Sequence, residues 1–370
     1  RNEYDENGRL VAIIDALGNR TEYTRDVDTR VEIIKDRRGN TTELIYDEKG
    51  NVLSHKDALG NVTNYSYDQN GNMLTEINAL GGMTAYTYDK DNRLTALTDE
   101  LGNQYKYEYD ADGNMTKETN PAGMSITSQY DEVGNLTEYT DNKGNTTHLS
   151  YNSKGQLTSV TDATGNTIRN FYDSNGNVIK EESSDGTVTK YTYDSSGNCL
   201  STTLAITTKE GTKELITTYE YDACNRRIKT ISPEGNTEVV LYNELGLEEQ
   251  IISSVSGKIV NEYDDMGNVT RTIYPDLSEE RRVYDIEGNE ISFTDRLGNV
   301  TKYEYDALGR QTKMIFADGP SNQMVYDEIG QLKEKIDENG NVTQYTYDPM
   351  GRNIAVTDAL GNTTQYEYGL

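Results

Sequence analysis

A tyrosine recurs in this chain at a fixed interval of 21 residues, and that period constrains the fold more than any other feature. Equivalent positions fall at 4, 25, 46, 67, 88, 109, 130, 151, 172 and 193, then at 221, 242, 263, 284, 305, 326, 347 and 368. Every step is 21 residues except the one from 193 to 221, and 17 of the 18 positions are Tyr, with Arg25 the exception. An interval kept along a whole chain marks a repeat architecture, in which one small unit is stacked many times against copies of itself.

The unit is read most easily at 61–81, NVTNYSYDQNGNMLTEINALG. Its first half alternates as Thr63, Tyr65, Tyr67, and the same pattern stands at 84–88 and 343–347. Period-two alternation predicts a strand with one aromatic face and one wet face. An Asp-x-x-Gly turn follows, as at 5–8, 47–50, 68–71, 110–113, 264–267 and 306–309. Asp accepts backbone N–H groups at the start of such a turn, and Gly supplies the positive φ that closes a type I turn with a bulge. Where that Gly is missing, Asn92, Asn225 and Thr29 are expected to take its place.

A second strand comes next, as at 72–77 or 135–140, and opens with Leu, Val or Met in most copies. It ends in a second Asp-x-x-Gly turn, as at 15–18, 57–60, 99–102, 295–298, 337–340 and 358–361. No single buried face is assigned to it: Leu10, Ala12 and Ile14 share one side while Val11 and Ile13 share the other. The prolines fit this division. Pro121, Pro233, Pro275 and Pro349 each follow the first residue of a turn, where φ near −65° is required, and Pro320 follows a turn Gly.

Tight turns at both ends make successive strands antiparallel neighbours, so the predicted fold is all-β: tandem 21-residue hairpins forming one long antiparallel strip. Two strands per repeat give about 36 strands, a strip roughly 170 Å long and about five or six residues wide. Strand twist makes such a strip coil, into a spiral β-solenoid or a hollow shell segment with the Tyr face on the concave side. Composition agrees, since the hydrophobic share is 34% with no Trp and three Phe, yet there are 29 Tyr. Stacked Tyr pairs, whose rings pack while their hydroxyls keep polar partners, replace a conventional core. Low mean hydropathy, −0.82, with a net charge of −28 would suit disorder, but strict periodicity argues for an ordered array.

The array is read as a single unit over 1–370 with one seven-residue insertion within 201–215. There a hairpin with strands three or four residues longer than usual is expected to turn at Thr208-Lys209-Glu210-Gly211, as a docking arm, a contact to a neighbouring turn of the spiral, or drift in repeat length. Both ends break off within a repeat, so the chain is expected to be cut from a longer protein.

Net negative charge without a Lys/Arg cluster disfavours nucleic acid and anionic lipid as partners, and no run has the length for membrane insertion. Cys199 and Cys224 stand three positions apart in the repeat frame, a separation that disfavours a disulfide; two small buried thiols are the simpler expectation. His55 and His148 occupy unrelated repeat positions, which supports neither a metal triad nor a Ser/His/Asp site. Carboxylates recur where hairpin turns demand them, and their spacing differs from that of calcium-binding loops. No catalytic, cofactor-binding or metal-binding residue is therefore assigned, and no cofactor is expected. The Asn-x-Thr triplets at Asn61, Asn135 and Asn341 match glycosylation acceptors but arise from a turn Asn followed by a strand Thr.

The recurring pattern YxYDxxGNLxxxxDxxGN, nearly intact at 65–81, 107–123 and 345–362, closely resembles the YD repeat of the Rhs (rearrangement hot spot) family. That family includes bacterial polymorphic toxins, wall-associated proteins, the B and C subunits of insecticidal toxin complexes, and teneurins. The resemblance covers essentially all 370 residues. It implies a strip that spirals into a hollow shell around an effector polypeptide, in a secreted or bacterial cell-surface protein, without enzymatic activity in the wall. Two departures stand out. Asn is commoner than Arg after the turn Gly (Asn51, Asn72, Asn114, Asn135), with Arg kept at Arg9, Arg310 and Arg352. The family's terminal plug with its self-cleavage site is not found here, because 347–352 lies on the repeat register, so self-cleavage is not assigned. The alternative reading is an extracellular module that binds cell-surface glycans through its Tyr-rich face.

Overall fold

The computed structural model describes residues 1–208 and 211–369. Among them 35 strands belong to one sheet, and every described pairing is antiparallel between consecutive strands. Two compact units divide the chain: Arg1–Tyr105, Glu262–Ile273 and Ser278–Leu370 form one, Lys106–Asn261 and Tyr274–Leu277 the other.

In the first unit the hairpin of Val62–Tyr67 and Met73–Ile77 is representative. Asn64, Tyr65 and Ser66 face Ile77, Glu76 and Thr75, and the register then slips so that Tyr67 faces Met73. This bulge recurs beside the repeat tyrosine, at Tyr4, Tyr46 and Tyr347 among others. It follows from the turn, whose Gly71 has φ 89° and donates its N–H to the Asp68 carbonyl at 3.2 Å. Burial alternates as predicted: in Val300–Tyr305, Thr301, Tyr303 and Tyr305 are half-buried while Val300, Lys302 and Glu304 are exposed. There is little conventional core, for among the described residues only Ala12 and Ala205 are buried apolar side chains.

The second unit repeats this construction and contains the long hairpin. Cys199–Thr208 has 10 residues and Gly211–Tyr221 has 11, where the next hairpin strands have 5 and 6. Each strand is thus five residues longer than usual, more than expected, because residues that would form a turn and bulge have joined an unbroken ladder from Ser201↔Thr218 to Thr208↔Gly211. The tip of the turn expected at 208–211, residues 209 and 210, lies outside the described residues.

The 35 strands agree with the expected count of about 36, and the last of them, Thr363–Gln365, stops short of Tyr368. Other expectations need correction. Thr29 does not take the glycine's place. Asp26 pairs directly with Val31, the bulge is absent, and Arg30 carries the positive φ of 59°. Asn92 and Asn225 do adopt φ of 63° and 61°, and Leu277, which the sequence did not single out, stands at 66° behind Pro275. Both cysteines are free; Cys199 is half-buried, but Cys224 is exposed because it is the third residue of a turn.

Candidate functional site

The turns are built by local carboxylate chemistry. Asp68 Oδ1 accepts the N–H groups of Asn70 at 2.8 Å and Asn72 at 2.9 Å, and its Oδ2 accepts Asn72 Nδ2 at 2.8 Å. Bonds to the charged form favour ionisation, so Asp68, Asp131, Asp173, Asp337 and Asp358 are held below the usual Asp range. Asp162 is lowered furthest, to about 2, first by Asn166 and then by Thr164. The Asn61, Asn135 and Asn341 amides of the possible glycosylation triplets make this same bond, each at 2.8 Å, to Asp57, Asp131 and Asp337.

The position after the turn Gly takes Asn or Arg because both reach the same carboxylate. Arg226, Arg310 and Arg352 donate Nε to Asp222, Asp306 and Asp348 at 2.7 Å. Their guanidinium groups also lie 4.5, 4.6 and 5.0 Å from the ring centres of Tyr242, Tyr326 and Tyr368 in the following repeat. Where Asn replaces the turn Gly it also ties repeats together: Asn92 Oδ1 accepts Asn72 Nδ2, and Asn225 Oδ1 accepts Asn198 Nδ2, both at 2.8 Å.

In most repeats the repeat tyrosine connects its hairpin to the one before. Its hydroxyl donates to the carbonyl 15 residues earlier, Tyr88 to Met73 and Tyr347 to Leu332 at 2.9 Å, Tyr172 to Leu157 and Tyr305 to Glu290 at 2.7 Å. The acceptor is the residue that opens the second strand, where the bulge ends. The repeat tyrosines thus form a hydrogen-bonded ladder along the backbone, while the first tyrosine of a pair can bond elsewhere, as Tyr191 does to Glu181 Oε2.

Repeat two departs from this arrangement. Arg25 occupies the tyrosine position and pairs with the buried Glu32 carboxylate at 2.6 Å. Tyr46 in turn donates its hydroxyl to Glu32 Oε2 at 2.8 Å in place of a carbonyl. Burial, reinforced by that hydrogen bond to a carboxylate, pushes the Tyr46 phenol up to about 12.

In the first unit two stretches far apart in sequence lie rim to rim. Return turns, which close the second strands of the N-terminal stretch, meet tyrosine turns, which follow the repeat tyrosines of the C-terminal stretch. Arg37 donates Nη1 to the Ile286 carbonyl, 249 residues away, at 3.0 Å, and Arg38 lies 3.6 Å from Asp285. Leu17, Met266 and Ile286 line one cavity of this seam, and Leu80, Ile329 and Pro349 line another of about 440 Å³. Gly82 makes room there: a Cβ at this position would fall 2.1 Å from Glu100 Oε2, whose carboxyl partner Oε1 accepts Asn78 Nδ2 at 2.8 Å.

Residues with chemical potential are scattered. His55 lines a cavity of the first unit together with Asp57 and Leu308, and His148 in the second is exposed, 3.2 Å from Glu138. Burial raises the carboxyls of Glu100 and Glu290, but Glu100 sits in the seam and Glu290 is drawn back by Arg282. Among the described residues no group of three or more His, Cys, Asp or Glu could hold a metal ion, and no helix is long and apolar enough to cross a membrane. What the sequence did not reveal is the seam, whose turns carry apolar third residues at Leu17, Leu80, Met266 and Met350 but charged ones at Arg38 and Glu287.

Comparison with known proteins follows the same lines. The family described as RHS Repeat matches residues 4–41, 46–83, 88–123, 130–167, 172–212, 284–321 and 326–352, well over half of the chain. No curated protein sequence matches it. Among solved structures, the Photorhabdus luminescens Tc holotoxin pore, with a TccC3 mutation, superposes with a TM-score of 0.70 at 15% identity, over 98% of this chain and 22% of that one. The crystal structure of TcdB2-TccC3 gives 0.70 at 16% identity with the same coverage, and TcdB2-TccC3-Cdc42 gives 0.60 at 15% over 96% and 26%. These likenesses are of fold, and the chain spans about a fifth of the length of the first of them.

Proposed function

The chain belongs to the Rhs repeat family, and from that premise we propose that it is a length of structural wall that encloses an effector polypeptide within a secreted or cell-surface protein. The array is taken as one continuous wall over 1–370, with the hairpin at 201–215 as a local extension. The observation that carries this reading is the seam of the first unit. A container needs its strip to meet itself side by side, and the Arg37 contact with Ile286 joins two stretches of strip in that manner. A binding strip would need no such joint.

The glycan alternative gains no support from the structural relatives, and repeat tyrosines such as Tyr88, Tyr172 and Tyr347 spend their hydroxyls on backbone carbonyls. The wall itself needs no catalytic group, which agrees with turn carboxylates engaged by backbone N–H groups. The test is limited proteolysis of the whole product of the open reading frame that encodes this chain. A segment outside the repeats should resist protease while the wall is intact and be cut when several repeats are deleted. Equal cleavage with and without the repeats refutes enclosure.

A further inference from the structure

One return turn of the first unit departs from its neighbours, and the next turn compensates. The return turns at 15–18, 57–60 and 99–102 begin with Asp and are followed by an Asn whose side-chain amide binds that carboxylate. The turn at 78–81 begins with Asn78 and is followed by Gly82. Asn78 Oδ1 still accepts the N–H groups of Leu80 at 3.0 Å and Gly82 at 2.9 Å, so the turn keeps its shape. Its carboxylate comes from the next return turn. Glu100 reaches through the space that a side chain at 82 would fill and accepts Asn78 Nδ2 at 2.8 Å.

Glu100 also stands at the seam. It holds the second place of its turn, as Arg37 does in the turn at 36–39, but where Arg37 donates to the Ile286 carbonyl, Glu100 lines the cavity of about 440 Å³. Carboxylates face it from both sides. Glu76 and the buried Asp99 lie on its own side, while Asp327 and Asp348 line the cavity from the other, with Glu328 in the adjoining cavity. The nearby arginines are already engaged, Arg352 donating Nε to Asp348 and Arg310 to Asp306, both at 2.7 Å. Lys333, the one cation among the lining residues, is exposed, and the phenols of Tyr345 and Tyr347 line the same wall.

Arginine thus closes one end of the seam, and a carboxylate among carboxylates stands at the other. We propose that Glu100 is an acid-responsive latch: ionised, it keeps the rim at 78–82 apart from the turns at 327–330 and 348–351, and its neutralisation in mild acid lets the two rims close over the cavity. Burial raises the Glu100 carboxyl, the Asn78 amide draws it back, and Glu76 and Asp99 push it up again. A raised carboxyl contributes stability that is complete below its unfolded value of 4.5 and lost as pH rises through the higher folded value. The seam therefore tightens between neutral pH and 4.5, before turn carboxyls such as Asp162, lowered to about 2, lose their own contribution. The latch acts whatever the wall encloses.

Amide hydrogen exchange in the full chain, corrected for the intrinsic rate, tests this. Between about pH 7 and about pH 4.5 the amides of 78–82 and of 348–351 should slow about threefold, with those of 141–166 in the second unit unchanged. Glu100→Gln keeps the bond to Asn78 without the charge, so both rims should hold the slower rate at either pH. A parent chain whose rims exchange alike at the two pH values overturns the proposal, and so does a Glu100→Gln variant that retains the parent's pH dependence. If that variant loses its β-sheet signal, Glu100→Ala is read against the same two outcomes. Carboxyl carbon NMR of the parent needs no variant: a Glu100 midpoint above 4.5 is expected, and one at or below it overturns the latch. These measurements read the seam alone, so their failure leaves enclosure standing, and failure of the protease test leaves the latch standing.

Discussion

Arg25 donates Nη1 to the carbonyl oxygen of Leu10 at 2.9 Å, 15 residues before it, the same bond that the repeat tyrosine makes elsewhere in the array. The guanidinium therefore preserves the connection between hairpins at the one position where the tyrosine is lost. It also brings a positive charge, which the buried Glu32 neutralises.

Arg25→Leu removes both partners and leaves the Glu32 carboxylate without its cation. The expected loss is about 2 kcal/mol, the range of a hydrogen bond to a charged group, since Arg25 is itself partly in solvent. Adding Glu32→Gln should restore part of it, because the orphaned charge is then gone. Urea unfolding read by hydrogen exchange over residues 10–46 measures both variants; equal destabilisation in the single and double variants would show that the ion pair is not the cause.

Acid should weaken the fold in a narrow range. The Asp162 carboxyl is lowered to about 2 in the folded chain, against 3.8 for a free side chain. A depressed carboxyl contributes stability above its unfolded pKa and loses it as pH falls through the folded value. The contribution of Asp162, and of turn carboxyls lowered in the same direction, is thus complete above about pH 4 and lost toward pH 2. Carboxyl carbon NMR should find the Asp162 midpoint near 2, and Asn166→Ala should raise it. A midpoint unmoved by that change would remove the side-chain amide as the cause.

At the other end of the scale, Tyr46 is raised to about 12, first by burial and then by its bond to Glu32. A raised phenol favours the neutral form in the fold, so its stability is present below about pH 10 and lost as pH rises toward 12. The phenolate absorbance missing from Tyr46→Phe should centre near pH 12. A difference titration centred at 10 would contradict this environment.

The seam should depend on its arginines. Arg38→Glu sets a carboxylate against Asp285, now 3.6 Å from the guanidinium, and beside the neighbouring Glu287. Amide exchange in turns 15–18 and 285–288 should rise about tenfold, corresponding to about 1.4 kcal/mol, with little change at 141–166. Unchanged exchange at both seam turns would mean that the apolar tips hold the joint without the charges.

The hairpins and their turns were legible in the sequence because each is decided within a few residues. Tyr65 and Tyr67 alternate with polar neighbours, and the Asp68 contacts reach only to Asn72. Errors arose where local geometry changed length: Asp26 pairs directly with Val31, which moved the left-handed residue from Thr29 to Arg30. Leu277 was missed because it is not a turn former by composition, although Pro275 marked the turn. The seam was not legible, since Arg37 and Ile286 are brought together only by the accumulated path of the strip between them. Hydroxyl-to-carbonyl bonds such as Tyr347 to Leu332 follow from the bulge, which repositions the tyrosine ring, and a period alone does not specify that.

The central claim is that this strip is wall, and the most direct measurement is electron cryo-microscopy of the whole product of its reading frame. The account predicts particles in which the repeats surround a lumen holding further polypeptide, with residues 36–40 lying against 285–288 in the wall. An open strip with its two stretches apart, or a closed wall around an empty lumen, would contradict it.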